Sequence, residues 1–330
     1  MDKKVVFSGV QPSGLLTVGN YIGAIRNFHT LQEEYDCYYC VVDMHAITVT
    51  QVPKDLREKT FQVLSLYLAS GLDPEKATVF IQSHVPAHAE LNWVLNCFTY
   101  MGQLNRMTQY KDKAAKHQDN LNAGLFTYPV LMASDILLYQ TSYVPVGEDQ
   151  RQHLELTRDI AQRFNARYSP TFEVPEGLIA KETGKIMSLK DPESKMSKSD
   201  PDENASIFVL DDEDAIVRKI RRSVTDSEAN FCYRDEQPGL KNLIHIYQAF
   251  SDENVENIVK YYEGSSYSQF KEDLAQLIYQ KLSPVQERYK ELMADKKRLE
   301  EIYRMGSERA SYQANKTLRK VYKKIGFLPR

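Results

Sequence analysis

Long apolar runs are scarce in this sequence, and their scarcity excludes a helix that crosses a membrane. No uninterrupted stretch approaches the ~20 apolar residues that a span requires, although 42% of the residues are apolar. Residues 1–7 pass directly into a strand-like run and lack the apolar core and small-residue cleavage site of a signal peptide. We therefore expect a globular, cytoplasmic protein with no membrane partner.

Cysteine is also rare, and four residues among 330 cannot build a disulfide framework. Cys37 and Cys40 form a C-x-x-C pair, a spacing that elsewhere binds a metal or does redox chemistry. They fall in a strand-like run, where residues three apart point to opposite faces, and no second pair follows at ligand spacing. We expect core cysteines and predict no metal site.

A net positive charge occurs only at the end of the chain. The formal net charge is −3. From residue 285 onward, thirteen basic residues stand against six acidic ones, which gives +7 there and leaves −10 for the first 284 residues. A basic segment on an acidic body favours a polyanionic partner such as nucleic acid, or it forms the solvated face of a charged helix.

Strand and helix patterns alternate through the first quarter of the chain. Strand-like apolar runs occur at 5–9, 37–42 and 77–82, and helical patterns with three- and four-residue apolar steps occur at 17–31 and 53–71. This rhythm predicts a parallel sheet with crossover helices, and therefore an α/β fold. In such sheets the first strand-to-helix turn commonly binds phosphate.

That first turn, residues 9–20, has the glycine spacing of a P-loop without its chemistry. Asn20 and Tyr21 stand where a P-loop has Lys and Ser or Thr. What remains is a glycine-bearing turn before a helix, with four small polar side chains: Gln11, Ser13, Thr17 and Asn20. The turn either holds a phosphate or only reverses the chain.

One carboxylate stands alone in an apolar helical stretch. Asp135 lies within residues 125–139, next to Ile136 and Leu137. A carboxylate in such a setting is costly unless it has a partner. Either a donor in the core satisfies it, or it faces a ligand that donates a hydrogen bond. A short strand and a turn follow at 144–150, and the turn has acidic residues of the kind that accept ribose hydroxyls.

A polar segment, Ser194-Lys195-Met196-Ser197-Lys198-Ser199-Asp200-Pro201, has no apolar periodicity. Two ammonium groups three residues apart suit a polyanion such as a triphosphate, because Lys is a point charge on a flexible stem. A solvated surface loop is the alternative.

Beyond residue 211 only helical patterns remain, at 215–223, 243–250, 255–262, 267–282, 284–293 and 299–325. We place a boundary near residue 205. The sequence thus predicts an α/β domain at 1–205, with a helical insertion at about 105–185, and an all-helical domain at 206–330.

Six short blocks occur in order: Gln11-Pro12-Ser13-Gly14, Thr17-Val18-Gly19-Asn20, Asp43-x-His45-Ala46, Asp135-Ile-Leu-Leu-Tyr139, Gly147-Glu-Asp-Gln150 and Lys195-Met196-Ser197-Lys198-Ser199. The last is the full KMSKS signature of class I aminoacyl-tRNA synthetases. The second resembles their HIGH motif in the variant form of tryptophanyl-tRNA synthetases, with Thr17 at the first histidine. The resemblance covers nearly the whole chain and is similar to the compact bacterial form.

The resemblance implies a Rossmann-like catalytic domain and a helical domain that binds tRNA. It also implies a two-step reaction. The carboxylate of L-tryptophan attacks the α-phosphate of ATP, with Mg²⁺ bound largely through the phosphates, to give the adenylate and pyrophosphate. The acyl group then passes to the 3′-terminal ribose of tRNA(Trp). A homodimer is expected, and no iron–sulfur cluster.

For ATP, the resemblance assigns catalytic roles to Lys195 and Lys198, which would stabilise the charge that grows on the pyrophosphate. It assigns Gly19 and Asn20, at a helix N-terminus, to hold the ATP from the other side. Ile186 would pack on adenine, and Glu148 and Asp149 would accept the ribose hydroxyls. The remaining ATP contacts would be Gln11, Pro12, Ser13, Gly147, Met196, Ser197 and Ser199.

For tryptophan, the resemblance makes Asp135 the acceptor of the indole N–H, a group that donates but never accepts. A substrate without that donor would leave a buried charge unpaired and be rejected. Tyr128 and Gln150 would contact the α-amino group of tryptophan, and His45 would lie near the carboxylate of the same substrate. The apolar walls would be Phe7, Met132, Val144 and Val146.

Three rival functions remain open at this point. A tyrosyl-tRNA synthetase shares the architecture, and Asp135 in its apolar setting discriminates against it. An idle relative that binds tryptophan for regulation would not need the two lysines of the KMSKS block. An enzyme that adenylates tryptophan without charging tRNA would not need the basic segment after residue 285.

Overall fold

The computed structural model describes residues 3–14, 16–108, 121–147, 150–178, 186–198, 200–228, 230–251 and 253–329. Its described part contains one parallel sheet with strands in the order β3-β2-β1-β4-β5. The strands are β1 (Val5–Val10), β2 (Asp36–Val41), β3 (Thr78–Ile81), β4 (Tyr143–Pro145) and β5 (Glu176–Leu178). This order is that of a doubly wound sheet, which confirms the predicted α/β, Rossmann-like class.

The first three strands lie within one residue of their predicted bounds, because each is a buried apolar run. The sequence analysis missed β5. Its three residues, Glu-Gly-Leu, are largely exposed and give no strand pattern, and they become a strand only by pairing with β4.

Helices connect and follow these strands. They are α1 (Val18–Asn20), which continues through a π-helical turn (Tyr21–Ile25) into α2 (Arg26–Glu34), then α3 (Asp43–Ala46), α4 (Pro53–Ala69), α5 (Ala87–Asn96), α6 (Met101–Leu104), α7 (Ala123–Leu137), α8 (Arg151–Arg167), α9 (Glu213–Arg221), α10 (Pro238–Ser251), α11 (Val255–Tyr261), α12 (Tyr267–Ala294) and α13 (Lys296–Ile325). Helix α4 starts with Pro53 at its first position, and Gly71 follows its end with φ +100°, as the sequence predicts.

Helix α12 corrects one prediction. The sequence analysis ended a helix at residue 282 and started another at Pro284, whereas a single helix runs from Tyr267 to Ala294. Proline removes one backbone hydrogen bond within a helix. Leu282 and Val285 on either side are buried, so the packing of the helix outweighs the lost bond.

The chain divides into two compact units. Unit 1 comprises 1–13, 28–179 and 292–330 and contains the sheet; unit 2 comprises 14–27 and 180–291. Of the five helices described after residue 205, four lie in or mainly in unit 2, and α13 belongs to unit 1. The assignment of tRNA binding to 206–330 stays a prediction.

Helix α13 lies against β3, the edge strand of the sheet. A Cβ atom on Gly306 would come within 1.9 Å of the carbonyl oxygen of Val79, so only glycine allows this approach. The apolar side of α13 is buried at Leu299, Ile302, Ala310, Ala314, Leu318 and Val321. Its basic side chains are exposed.

Cys37 and Cys40 are unbridged and wholly buried, which confirms that they are core residues.

Within the described ranges, no helix is long and apolar enough to cross a membrane. Among the same residues, no group of three His, Cys, Asp or Glu side chains is placed to hold a metal ion.

Candidate active site

Asp135 is the centre of a buried hydrogen-bond network in unit 1. It lies near the end of α7 with 1% of its surface exposed. Its Oδ2 atom accepts a hydrogen bond from His45 Nε2 at 2.7 Å. Its Oδ1 atom accepts two, from His88 Nδ1 and from the Gln82 amide, each also at 2.7 Å. The core therefore does supply donors to this carboxylate, one of the two alternatives left open above.

These donors hold Asp135 in its ionised form. Burial alone would raise the pKa of the carboxyl group, but His45 and His88 oppose it through charge and hydrogen bonds. The net effect lowers the pKa of Asp135 to about 2. An ionised carboxylate has roughly four acceptor positions, and the described residues occupy three of them. The assignment of the indole N–H to Asp135 is compatible with this geometry and stays a prediction.

The carboxyl ends of β2 and β3 position the donors. His45 lies in α3, directly after β2, and Gln82 begins the turn after β3. The Gln82 side-chain oxygen also accepts a hydrogen bond from the Met44 backbone N–H at 3.0 Å. Asp43 in turn accepts hydrogen bonds from the backbone and side chain of Ser83. These hydrogen bonds join the segment after β2 to the segment after β3, and they hold His45 and Gln82 in position next to Asp135.

The predicted apolar walls belong to one cluster in unit 1. Phe7 and Val144 are buried in it, and Met132 and Val146 pack against it. The Phe7 ring stacks on Tyr139 with a centroid distance of 5.7 Å and an interplanar angle of 8°. The four apolar side chains that the resemblance assigned to tryptophan thus lie in or against one core cluster, and their contact with the substrate stays a prediction.

The two candidates for the α-amino group lie on α7 and at the start of α8. Tyr128 is buried, its hydroxyl is 2.9 Å from His153 Nε2, and its ring stands edge-on to His45. Gln150 is half-buried and its backbone N–H donates to the carbonyl oxygen of Gly147. Glu148 and Asp149, predicted to bind ribose, lie outside the described residues.

The phosphate candidates at the N-terminal turn fall in two units. Gln11, Pro12 and Ser13 follow β1 in unit 1, where the Ser13 N–H donates to the Gln11 carbonyl at 2.9 Å. In unit 2, Thr17 and Asn20 form a capping box at the start of α1.

In that box Asn20 Oδ1 accepts from Thr17, and Thr17 Oγ1 accepts from the Asn20 N–H. Thr17 therefore has a structural role that the sequence analysis did not identify. A Cβ atom on Gly19 would lie 3.6 Å from Ile186, so these two predicted ATP contacts are neighbours.

The lysine-bearing segment forms the end of a hairpin in unit 2. Met187 and Lys195 pair in antiparallel fashion, the Ser188 N–H donates to Ser194, and the Met196 N–H donates to Ile186. Met196 is buried. The carbonyl oxygen of Ser197 accepts from the Ser206 hydroxyl at 2.9 Å.

Both lysines of this segment, Lys195 and Lys198, are exposed, and Ser199 lies outside the described residues. Asn242, which the sequence analysis missed, clamps the base of the hairpin. It accepts from the Met187 N–H at 2.8 Å and donates to the Met187 carbonyl at 2.9 Å. The structure thus holds the base of the hairpin and presents its lysines to solvent.

Comparison with known proteins shows which family this chain belongs to. The model of the class I tRNA synthetases for tryptophan and tyrosine (W and Y) matches residues 2–283. The chain belongs to this family. It is 59% identical to the tryptophan–tRNA ligase of Clostridium perfringens over 328 residues, 99% of both chains. It is 57% identical to that of Clostridium tetani, over 99% of this chain and 97% of the relative.

Solved structures of the same family agree. The tryptophanyl-tRNA synthetase of Mycoplasma pneumoniae superposes with a TM-score of 0.92 at 35% identity, over 99% of each chain. That of Campylobacter jejuni, complexed with ADP and tryptophan, gives a TM-score of 0.83 at 36% identity, over 98% of this chain and 100% of the other. The resemblance to bacterial tryptophanyl-tRNA synthetases that the six blocks predicted is confirmed.

The sequence analysis did not identify three polar members of the Asp135 network. Gln82 and His88 were not named as candidates, and Tyr139 was given no hydrogen-bonding role. Gln82 and His88 follow β3, the strand end where ligand-binding residues collect in such sheets. Tyr139 stands four residues after Asp135 in one of the six blocks, a spacing that places two side chains on one side of a helix. These two signals were present in the sequence.

Proposed function

We propose that this protein activates L-tryptophan with ATP and transfers the tryptophanyl group to the 3′ end of tRNA(Trp). Family membership over the whole chain supports the reaction class. The observation that carries the choice of amino acid is the buried, ionised Asp135, whose chain neighbours Ile136 and Leu137 belong to the same core cluster as Phe7 and Val144.

Asp135 suits tryptophan because an ionised carboxylate only accepts hydrogen bonds and the indole N–H only donates. The four apolar candidates would enclose the ring, while Tyr128 and Gln150 would contact the α-amino group and His45 the carboxylate side. Tyrosine carries a hydroxyl that both donates and accepts, and phenylalanine carries neither group. Phenylalanine would therefore leave the fourth acceptor position of the buried carboxylate unfilled, which disfavours it in this site.

Formation of the adenylate needs no nucleophile from the protein, because the tryptophan carboxylate is already ionised. The protein must align the reacting groups and stabilise negative charge on the departing pyrophosphate. We assign this to Lys195 and Lys198 on the hairpin, with Gly19 and Asn20 at the N-terminus of α1. Gln11, Pro12, Ser13, Gly147, Glu148, Asp149, Ile186, Met196, Ser197 and Ser199 complete the proposed ATP contacts.

Mg²⁺ would enter with ATP, because it keeps much of its water and commonly binds through substrate phosphates. It would neutralise part of the phosphate charge. The exposed basic side of α13 supports tRNA as the polyanionic partner. A homodimer and a cytoplasmic location complete the proposal.

The test is ATP–pyrophosphate exchange, followed by aminoacylation of tRNA(Trp). With Mg²⁺, we expect exchange to depend on tryptophan and to stay at background with tyrosine. Exchange with tyrosine alone would make the protein a tyrosyl enzyme. No exchange with either amino acid would favour a regulatory tryptophan binder, and exchange without tRNA charging would leave only an adenylating enzyme.

A further inference from the structure

The hydrogen bonds of Asp135 continue beyond its direct partners. His88 donates to Asp135 Oδ1 through Nδ1, and its other ring nitrogen, Nε2, is 2.8 Å from the Tyr139 hydroxyl. His88 and Tyr139 are wholly buried, and Asp135 is 1% exposed. Neither His88 nor Tyr139 has a role in the reaction described above.

The chemistry of the carboxylate fixes the direction of the bond between His88 and Asp135. An ionised carboxylate accepts only, so the proton between it and His88 lies on Nδ1. The other ring nitrogen, Nε2, pairs with the Tyr139 hydroxyl, a group that both donates and accepts, so this bond forms in either charge state of the ring. Burial raises the pKa of Tyr139 well above its ordinary value, so the hydroxyl keeps its proton. The chain runs from Tyr139 through His88 to Asp135.

This series of hydrogen bonds ends on one oxygen of the Asp135 carboxylate and leaves the other oxygen for recognition of the substrate. Oδ1 accepts from both His88 and Gln82, whereas Oδ2 accepts from His45 alone among the described residues. A carboxylate held by one edge cannot rotate to exchange its oxygens without breaking two buried hydrogen bonds. The second acceptor position of Oδ2 therefore keeps a fixed direction.

We propose that His88 and Tyr139 are positioning residues for amino-acid recognition, because they fix the Asp135 carboxylate so that Oδ2 meets the indole N–H. The inference rests on the proposed function and explains the spacing between Asp135 and Tyr139. The His88 ring bridges these two side chains, four positions apart. Tyr139 also stacks on Phe7, so one residue supports both the polar contact and the apolar wall.

The variant Tyr139→Phe tests this most cleanly. It removes the hydroxyl and keeps the ring that stacks on Phe7 and on Tyr38. Tyr38→Phe is the matched control, since that hydroxyl makes no hydrogen bond within the described residues and the Tyr38 ring lies 4.5 Å from the Tyr139 ring. Each enzyme is assayed by pyrophosphate exchange with tryptophan and with β-(benzothienyl)-L-alanine, in which sulfur replaces the indole N–H.

We expect Tyr139→Phe to lower kcat/KM for tryptophan by about tenfold, the usual effect of one lost hydrogen bond in a charged network. The change should lie in the tryptophan KM, with the ATP KM unchanged. For the benzothienyl analogue kcat/KM should fall less than about threefold, because that substrate does not use Oδ2. Tyr38→Phe should change neither value.

His88 gives a second pair of variants in case one fails to fold. Asn can donate from nearly the position of Nδ1, so His88→Asn should retain more tryptophan selectivity than His88→Leu. Equal losses for both substrates in Tyr139→Phe and in His88→Leu would mean a merely structural role and overturn the inference. So would unchanged tryptophan kinetics. A wild-type enzyme without tryptophan-dependent exchange would instead overturn the proposed function, and the inference with it.

Discussion

At the scale of single residues, Asp135 shows how a buried charge is retained. Removing a carboxylate from water costs several kcal/mol, and only good hydrogen bonds and nearby positive charge offset that cost. Here three donors at 2.7 Å surround it. The lowered pKa means that the folded protein stabilises the ionised form more than water does.

This pKa predicts an acid-dependent contribution to stability. Because the pKa of Asp135 is about 2 in the folded protein and near 4 when unfolded, ionised Asp135 stabilises the fold above pH 4 by about 2 kcal/mol. The contribution is lost as the pH falls from 4 towards 2. The difference in thermal midpoint between wild type and Asp135→Asn should be steady from pH 5 to 7 and shrink below pH 4. A constant difference down to pH 2.5 would contradict the assigned pKa.

A second prediction concerns selectivity. Asp135→Ala should reduce the preference for tryptophan over phenylalanine by at least about tenfold, because the hydrogen bond that the carboxylate offers to the indole N–H disappears. The measurement is the ratio of kcat/KM for the two amino acids in pyrophosphate exchange. Asp159→Ala, an exposed carboxylate on α8, is the control. An unchanged ratio would show that another residue reads the indole.

The sequence revealed Asp135 but not its partners, for a physical reason. A lone carboxylate among apolar residues is visible in one stretch of chain. His45, Gln82 and His88 come from three other stretches, and they meet only because β2 and β3 are adjacent and in register. The three donors follow from the pairing of strands, which local periodicity does not determine.

At the scale of elements, the hairpin that carries Lys195 depends on Asn242. This amide pairs with both polar groups of the Met187 backbone, as a neighbouring strand would, from a position 3% exposed. Asn242→Ala should therefore misplace the lysines and lower kcat of adenylate formation by about tenfold or more.

Pre-steady-state measurement of adenylate formation would check this, with the tryptophan KM expected to stay constant. Asn257→Ala, an exposed asparagine on α11, is the control. A rise in the tryptophan KM with normal kcat would contradict a role in phosphate chemistry.

The crossing of α13 over β3 makes another element-scale prediction. Gly306→Ala would place a methyl group against the backbone of Val79, which cannot move without disturbing the strand. We expect a loss of at least about 2 kcal/mol, or about 4 °C or more in the thermal midpoint.

Gly102→Ala is the matched control, since the added Cβ of that helical glycine would meet nothing within 4 Å. Alanine there should be neutral or stabilising. Equal effects of the two substitutions would rule out the close approach of α13 to the strand.

Local rules predicted most elements and failed at two instructive places. The buried strands and the capped helices carry their signals in their own residues. Pro284 is a helix breaker by local rules, yet packing keeps α12 continuous, and β5 has no pattern of its own. In both cases contacts with distant residues decide the structure.

At the scale of the whole molecule, the uneven charge can be tested through tRNA binding. Lys316, Arg319 and Lys320 are exposed on α13. Replacing all three with Gln should weaken tRNA binding and reduce the slope of log Kd against log salt by roughly two to three, since each lost phosphate contact removes a little less than one. Tryptophan-dependent exchange should be unaffected.

A triple variant of equal charge change elsewhere provides the comparison. Three exposed basic residues near the N-terminus serve for it: Lys3, Lys54 and Arg57. An identical fall in the salt slope for both triples would mean that net charge alone, and not the position of α13, attracts tRNA.

The discontinuity of unit 1 has a consequence for how the protein is made. The sheet lies within the first 178 residues, but α13, which covers its edge strand, ends at Ile325. During synthesis, β3 leaves the ribosome more than 200 residues before its covering helix. Because the ribosome adds roughly 5–20 residues per second, the edge of β3 stays uncovered for about ten seconds or longer. During that interval a chaperone or a neighbouring nascent chain could bind the exposed strand edge.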